Sequence, residues 1–324
     1  MFGAGPYCSL MFTAPSGALL RELRTAAGLG LRQMAGRTAF TPAYLSMVET
    51  GAKPVTEPVV EAYRKVLGDP TLGLADVDLE RLAATVAAPE QAGVSGLDDL
   101  AVILERTRHL EDQVGASLVV SVIRGIDGVA RALAGVGGVE AAALASEVTR
   151  YRGWLEHATG RGMIADRVLG DAAELADAAD DGSQLAHSHS FRAYVARHAG
   201  QLGKAVDLTE AAISVTGAHP ILRVYDRYQR AELLAVQGNR SASLRALHMA
   251  DLAAEAAADV ELPAFGYWYT PGFWGVQRGI VLALLGRHVE AVREAEAGVS
   301  AMPAAHQSSG WLAGMLGQVS PEMG

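Results

Sequence analysis

Apolar residues recur at spacings of three and four through most of this 324-residue chain, from Leu97 nearly to its end. Such spacing places apolar side chains on one face of a helix, and the alternation typical of a half-buried strand is rare here. The pattern therefore predicts an all-α protein. Half of the residues are hydrophobic, which excludes a mostly disordered chain. No stretch approaches the roughly 18 unbroken apolar residues of a membrane span, so we expect no membrane association.

Capping residues and glycines near the N-terminus predict a head of five short helices. Ser16 and Thr41 can cap two of them, and Gly28 and Gly51 can end them. The predicted bounds of four of the five are Gly17–Ala27, Leu31–Arg37, Pro42–Thr50 and Glu57–Leu67. Two short helices joined by a tight turn, here Thr38-Ala39-Phe40, form a helix-turn-helix, whose second helix enters the major groove of DNA.

Charge and composition divide the chain into three parts. Residues 12–69 hold seven Lys or Arg against five Asp or Glu, whereas the rest holds 20 against 31, within a net charge of -9. A mildly basic head on an acidic body is what a nucleic-acid module on a protein platform shows. The Pro- and Gly-containing segment 70–96, with one short helix near Val77–Ala87, separates the two as a linker. We expect a DNA-binding domain at 12–69 and a sensor and dimerisation domain at 97–324.

The segment LRELRTAAGLGLRQMAGRTAFTPAYLSMVETGAKPV, which begins at Leu20, resembles the Cro/phage-repressor-like helix-turn-helix (XRE) family. The resemblance implies a lambda-repressor-like fold and a double-stranded DNA operator as partner. It also implies a buried ion pair between Arg24 and Glu49. An alternative is a helical bundle without a DNA partner, since some members of the family bind proteins.

The same resemblance assigns roles in DNA binding. Thr41, Pro42, Ala43 and Met47 lie where the family reads base edges, with Tyr44 and Ser46 beside them. Gly30 and Leu31 replace the Ser/Thr and Gln that often contact phosphate. The remaining polar candidates for the backbone are Arg32, Gln33, Arg37 and Lys53. Because the reading positions are apolar, we expect thymine-methyl contacts and DNA shape to carry much of the readout.

The body contains an internal repeat marked by four glycines, Gly160, Gly200, Gly238 and Gly286. Small residues recur seven positions before and five and twelve positions after each glycine, where they let two antiparallel helices pack closely. The pattern resembles the tetratricopeptide repeat, best in residues 286–303, although the periods here are longer. The resemblance implies a solenoid of stacked α-hairpins with a concave groove. The alternative is a globular helical bundle with Ala-rich packing.

One face of the first helix in each predicted hairpin carries aromatic and charged residues suited to a peptide or small-molecule effector. The candidates are Glu147, Arg150, Trp154, His157, His187, Tyr194, Arg197, Tyr225, Tyr228, Glu232 and Phe273; the same face also carries Ser190, Ala235, Val276, Ile280 and Ala283. These aromatics can equally fill the interior of a tight superhelix. The aromatic insertion 261–274 can line the groove, cap it or form a dimer contact.

No catalytic or cofactor motif is present in the sequence. The histidines at 187, 189 and 198 lack a nearby Cys or a Glu-containing zinc motif, and no phosphate loop or nucleophile elbow occurs. We therefore expect no enzyme activity, no cofactor and no metal. Cys8 is the only cysteine, which fits a reducing cytoplasm, and the uncharged first eleven residues do not form a secretory signal.

Together these patterns predict a cytoplasmic transcriptional regulator that binds DNA as a homodimer and senses an effector in its helical body. A protein-interaction adaptor, in which the head only docks, is the alternative. Salt-dependent binding to a selected DNA site separates the two.

Overall fold

The computed structural model describes residues 16–67, 79–89, 94–321 and 323. The N-terminal arm with Cys8 and much of the predicted linker lie outside these residues. The chain divides between Asp99 and Leu100 into two compact units. The domain bounds predicted from charge and composition, 12–69 and 97–324, remain a prediction. The division between the two units reflects contacts within the structure and does not test the function of either part.

The structure is all-α over the described residues, as predicted. The helices of the first unit are α1 Gly17–Ala26, α2 Leu31–Gly36, α3 Pro42–Glu49, α4 Glu57–Leu67 and α5 Leu79–Ala87. The predicted helix bounds agree within one or two residues. The fifth helix, α5, lies inside the segment predicted as linker. Helix α6, Val94–Val114, contains the division between the units.

The core of the first unit is built from the apolar faces of its first four helices. Ser16 caps α1 by accepting the N–H of Leu19 at 3.1 Å, and Gly51 leaves α3 at a φ of 75°, which a side chain would strain. Eight buried side chains fill the centre: Leu20, Met34, Ala35, Leu45, Val48, Val59, Val60 and Tyr63. These contacts hold α2 and α3 as one helix-turn-helix.

The second unit is a stack of antiparallel helix pairs. After α7, Ala116–Ala134, the pairs are α8 Gly138–Ala158 with α9 Gly162–Ala178, α10 Gly182–His198 with α11 Leu202–Ser214, α12 Pro220–Val236 with α13 Arg240–Ala256, and α14 Pro271–Leu284 with α15 His288–Ala301. Two further helices, α16 Ala304–Gln307 and α17 Gly310–Val319, follow, and α17 packs on α14 and α15. The predicted tetratricopeptide-like hairpins are confirmed.

The four marker glycines occupy the turns inside these pairs. All four have φ between 73° and 80°, a left-handed conformation that glycine adopts without steric cost. The small residues around them are buried at the helix crossings, where Ala165, Ala205, Ser243 and Ala291 have no exposed surface. The repeat therefore reflects close helix packing, as its spacing predicted.

None of the helices within the described parts of the chain combines the length and apolar character that crossing a membrane requires.

The crossing of α14 and α15 predicts opposite effects for two Gly→Ala changes, one inside it and one outside it. A Cβ at Gly298 would lie 2.6 Å from the backbone oxygen of Gly272, which cannot move without shifting α14, whereas a Cβ at Gly128 in α7 meets nothing within 4 Å. We expect Gly298→Ala to lower the free energy of unfolding by about 1–3 kcal/mol. Gly128→Ala should raise it by about 0.5–1 kcal/mol, since alanine favours a helix.

Urea titrations of both variants measure these changes. Equal effects of the two substitutions would contradict the close approach of α14 and α15.

Candidate functional site

A buried ion pair connects the first helix of the head to the end of α3. Arg24 donates from Nε to Glu49 Oε1 at 2.6 Å and from Nη2 to Glu49 Oε2 at 2.7 Å, and Tyr63 donates to the same carboxylate at 2.6 Å. Arg24 Nη1 also donates to the backbone oxygen of Leu29 at 2.6 Å. The bond with Glu49 raises the pKa of Arg24, and burial raises the pKa of Tyr63. The predicted Arg24–Glu49 pair is confirmed.

This network determines which face of α3 is open. Thr41 accepts the N–H of Tyr44 at 3.2 Å, and Pro42 occupies the first turn, where a missing N–H costs nothing. Leu45, Val48 and Glu49 are buried on the inner face. Thr41, Pro42, Ala43 and Met47 are exposed on the outer face, Met47 by 37%, and Tyr44 and Ser46 are partly exposed. The predicted base-reading positions are thus accessible, and their contact with DNA stays a prediction.

The four polar candidates for backbone contacts are exposed as well. Gln33 uses its Oε1 to accept the N–H of Gly30 at 2.7 Å, so it caps α2 in place of a Ser or Thr. Lys53 Nζ lies 5.3 Å from the ring centroid of Tyr44, which in turn stacks on Phe40 at 5.3 Å. Arg32 and Arg37 project at the beginning and end of α2. Lys53 therefore lies beside Tyr44 on α3, and Arg32 and Arg37 add two exposed cations at α2.

The second unit contains a cavity lined by the first helices of the pairs together with α6, α17 and the aromatic insertion. Its empty volume is about 840 Å³, part of which is open to solvent. Aromatic side chains dominate its wall: Tyr151, Trp154, Phe191, Tyr194, Tyr225, Tyr267, Trp268, Tyr269, Phe273 and Trp311. The other lining residues are Arg108, Glu111, Asp112, Arg150, Arg197, Glu232, Gln277, Ile280, Met315 and Gln318. Such a mixture is typical of a small-molecule or peptide site.

Most of the predicted groove residues meet in this cavity. Among the eleven candidates, the lining includes Arg150, Trp154, Tyr194, Arg197, Tyr225, Glu232 and Phe273. It does not include Glu147, His157, His187 or Tyr228, nor Ser190, Ala235, Val276 and Ala283 of the same helical face.

The four candidates outside the lining have partners elsewhere. Glu147 accepts from Arg108 at 2.6 Å, and Tyr228 donates to Asp251 at 2.8 Å. His187 is fully buried with its Nε2 3.0 Å from the hydroxyl of Tyr269, and His157 packs edge-on against Tyr194. These four side chains contact neighbouring helices or the insertion and do not line the cavity.

Several lining residues have no counterpart in the sequence prediction. Arg108, Glu111 and Asp112 belong to α6, and Trp311, Met315 and Gln318 belong to α17, both outside the repeat, so repeat register could not locate them. Tyr267, Trp268 and Tyr269 belong to the insertion, and lining the groove is one of the three roles that the sequence allows for it. The structure places these three aromatics in the cavity wall.

Two carboxylates on α6 are held by aromatic donors. Glu111 accepts from the Tyr151 hydroxyl at 2.7 Å and from Trp154 Nε1 at 3.0 Å. Asp112 accepts from the Tyr267 hydroxyl at 2.6 Å and from Trp311 Nε1 at 3.0 Å. Burial raises the pKa of Glu111. These bonds connect α6 with α8, the insertion and α17, and so they fix one side of the cavity.

The three arginines of the wall differ in their partners. Arg108 pairs with Glu147 at 2.6 Å, and Arg197 pairs with Glu232. Arg150, 1% exposed, donates from Nε to Gln184 at 3.0 Å, but its buried Nη2 has no hydrogen-bond partner. Burial and the charge of Arg108 lower the pKa of Arg150 to about 9. Arg150 is thus a buried cation without an ion-pair partner among the described residues, although the charges of Glu147 and Asp181 act to raise its pKa.

Among the residues that the structure describes, no group of three or more His, Cys, Asp or Glu is arranged to hold a metal ion. Burial lowers the pKa of His187 and His189, and the pKa of His198 is lowered to about 4.

Comparison with known proteins identifies the head. A model described as a helix-turn-helix domain matches residues 17–71, which include α1 to α4. The predicted resemblance is confirmed for these residues, and the first unit contains a helix-turn-helix domain. No curated protein matches the chain. The chain is similar to the crystal structure of Bacillus thuringiensis PlcR in complex with the peptide PapR7 and DNA, at 15% identity and a TM-score of 0.44, over 94% of this chain and 96% of that chain.

The buried carboxyl of Asp226 in α12 should make the stability of the folded protein depend on pH. The carboxyl is fully buried, with one bond from Ser190, and burial raises its pKa from 3.8 to about 8. The folded state therefore keeps a proton that the unfolded state releases above pH 4. The stabilisation from this proton is present below pH 4 and is lost as the pH rises to about 8.

Asp226→Asn removes this dependence while it keeps the shape of the side chain. We expect the stability of the variant relative to the wild type to rise between pH 4 and 8, by at most about 1.4 kcal/mol per pH unit. Asp207→Asn, at an exposed position on α11, is the matched control and should show a constant difference. Urea titrations across this pH range measure both, and a pH-independent difference for Asp226→Asn would contradict the burial of its carboxyl.

Proposed function

We propose that this chain, with its helix-turn-helix DNA-binding domain, is a transcriptional regulator that binds an operator as a homodimer and is controlled by an effector in the aromatic cavity. The observation that carries the proposal is the open outer face of α3, with Thr41, Pro42, Ala43 and Met47 exposed on a helix whose inner face is fixed by the Arg24–Glu49 pair. A recognition helix needs this combination of rigid support and free surface. Its apolar positions favour thymine-methyl contacts and shape readout over bidentate hydrogen bonds.

The homodimer is proposed because one helix-turn-helix buries little surface, and two half-sites supply the affinity that one cannot. Helix α7 offers a surface for a second copy. Leu118, Val122, Val129 and Val136 follow one another along α7 and its end at spacings of four or seven, with Leu118 68% and Val122 49% exposed. Apolar residues at this spacing form the seam of a packed helix pair.

The effector is proposed to act by preferring one arrangement of the dimer. A ligand shifts such an equilibrium only by the difference in its affinity for the two arrangements. Lining residues from α6, the four hairpins and α17 meet in the cavity, so a bound molecule contacts helices from both ends of the second unit. Effector binding can in this way change operator affinity without touching the head.

DNA binding is tested with a duplex selected by the purified full-length protein. Arg32→Ala removes a phosphate contact, so we expect weaker binding to all sequences and a salt-dependence slope reduced by about 1. Met47→Ala should change the base preference of the site. Fluorescence anisotropy at several salt concentrations measures both.

Arg21→Ala is the charge-matched control, because Arg21 is exposed on α1, outside the helix-turn-helix pair. An equal loss for Arg21→Ala and Arg32→Ala would contradict the placement of α2 on the backbone. Binding without salt dependence would favour an adaptor that recognises a protein.

Dimerisation is tested by placing charge on the face of α7. The double variant Leu118→Glu, Val122→Glu puts two carboxylates in the proposed seam, and we expect a monomer by light scattering after gel filtration. Met163→Glu is the matched control, since Met163 is 93% exposed on α9, and it should leave the dimer intact. A wild-type monomer, or a dimer of the double variant, would contradict the proposed interface.

A further inference from the structure

Arg150 is the arginine of the cavity wall that lacks an ion-pair partner among the described residues; the charges of Glu147 and Asp181 act on it without forming a pair. Arg108 and Arg197 each pair with a carboxylate, Glu147 and Glu232, whereas Arg150 forms no ion pair with any residue that the structure describes. Its one hydrogen bond goes from Nε to the neutral side chain of Gln184. The guanidinium stays charged at neutral pH, because its pKa is lowered only to about 9. A buried charge of this kind is costly unless a partner arrives.

The surroundings of Arg150 hold its guanidinium in a fixed position. Gln184 holds Nε, and the rings of Phe191 and Phe265 lie 5.5 and 5.6 Å from its central carbon. The buried Nη2 has no partner. A guanidinium fixed in this way can offer parallel N–H donors to a carboxylate, which is the strongest pairing it makes.

The rest of the wall restricts the ligand. One arginine without an ion-pair partner matches one negative charge, and Glu111 and Asp112 in the same wall disfavour a second. Ten aromatic side chains line the remaining surface and favour a flat apolar body. A phosphate dianion would leave one charge without a partner.

We propose that the cavity binds an organic acid whose single carboxylate, carried on an aromatic or other flat apolar body, pairs with Arg150. This assignment rests on the proposed function of the second unit as an effector-binding domain.

Three matched probes test the proposal on the full-length protein: 2-naphthoate, 2-naphthamide and 2-naphthyl phosphate. We expect the carboxylate to raise Tm and to bind measurably by calorimetry, and the amide and phosphate to bind about tenfold more weakly or worse. In Arg150→Met, naphthoate affinity should fall by about 30-fold or more, the cost of leaving one charge of a buried pair without its partner.

Two further variants serve as controls, one for the loss of an exposed arginine and one for a failure of Arg150→Met to fold. Arg167→Met removes an exposed arginine on α9 and should bind naphthoate as the wild type does. Arg150→Lys keeps the charge but loses the planar fork, and an affinity about tenfold weaker is expected even if Arg150→Met does not fold. Circular-dichroism melts verify that each variant is folded.

The proposal is overturned if the amide or the phosphate binds as well as the carboxylate, if no probe binds at millimolar concentration, or if a folded Arg150→Met or Arg150→Lys keeps wild-type affinity. Operator binding by the same samples separates this failure from that of the proposed function. Operator binding without a carboxylate preference rejects the role of Arg150 and leaves the regulator. Carboxylate binding without any operator binding rejects the regulator and leaves the role of Arg150.

Discussion

The closeness of the paired helices is the constraint on which the second unit depends. At Gly298 and Gly279 the backbone of one helix lies so near its partner that a single added methyl group would contact backbone oxygen, and at Gly153 it would contact Leu169. Because the two helices of each pair pack this tightly, the first helices of the successive pairs lie together in one layer. The aromatic side chains that this layer presents then form the wall of the cavity, so the small residues at the crossings determine where the large ones meet.

A different interaction has the corresponding role in the head. The carboxylate of Glu49 receives Arg24 from α1 and Tyr63 from α4, so the end of α3 is tied to two other helices. A buried pair of this kind contributes little net stability, but it is strongly destabilising when one partner is removed. Its use here is positional, because it turns Met47 and the residues before it outward.

Local signals account for what the sequence predicts well. Capping by Ser16 and Thr41 and the left-handed glycines are chemical features of one turn, so the helix bounds follow from a few residues. The hairpins are predicted by small residues that recur at the same positions around each of the four marker glycines. The Arg24–Glu49 pair came from family resemblance, since no pattern in one sequence shows which side chains meet over 25 positions.

The residues that line the cavity were predicted less completely, because only part of each helical face borders the cavity. Tyr225 and Tyr228 lie one turn apart on α12, yet only Tyr225 lines the cavity, while Tyr228 bonds to Asp251 on the partner helix. Glu111, Asp112 and Trp311 lie outside the repeat, where register gives no information. The missing bond of Arg150 is a property of its neighbours, and no sequence pattern can reveal it.

The proposed regulator requires α2 and α3 to lie against a DNA duplex, with α3 in the major groove. Selection of DNA from a random pool with the purified full-length protein at low ionic strength measures this most directly. We expect an enriched, two-fold symmetric site whose half-sites are separated by one helical turn, about 10–10.5 base pairs, or a multiple of it. A pool that remains unenriched, with no duplex retained even at low ionic strength, would contradict it.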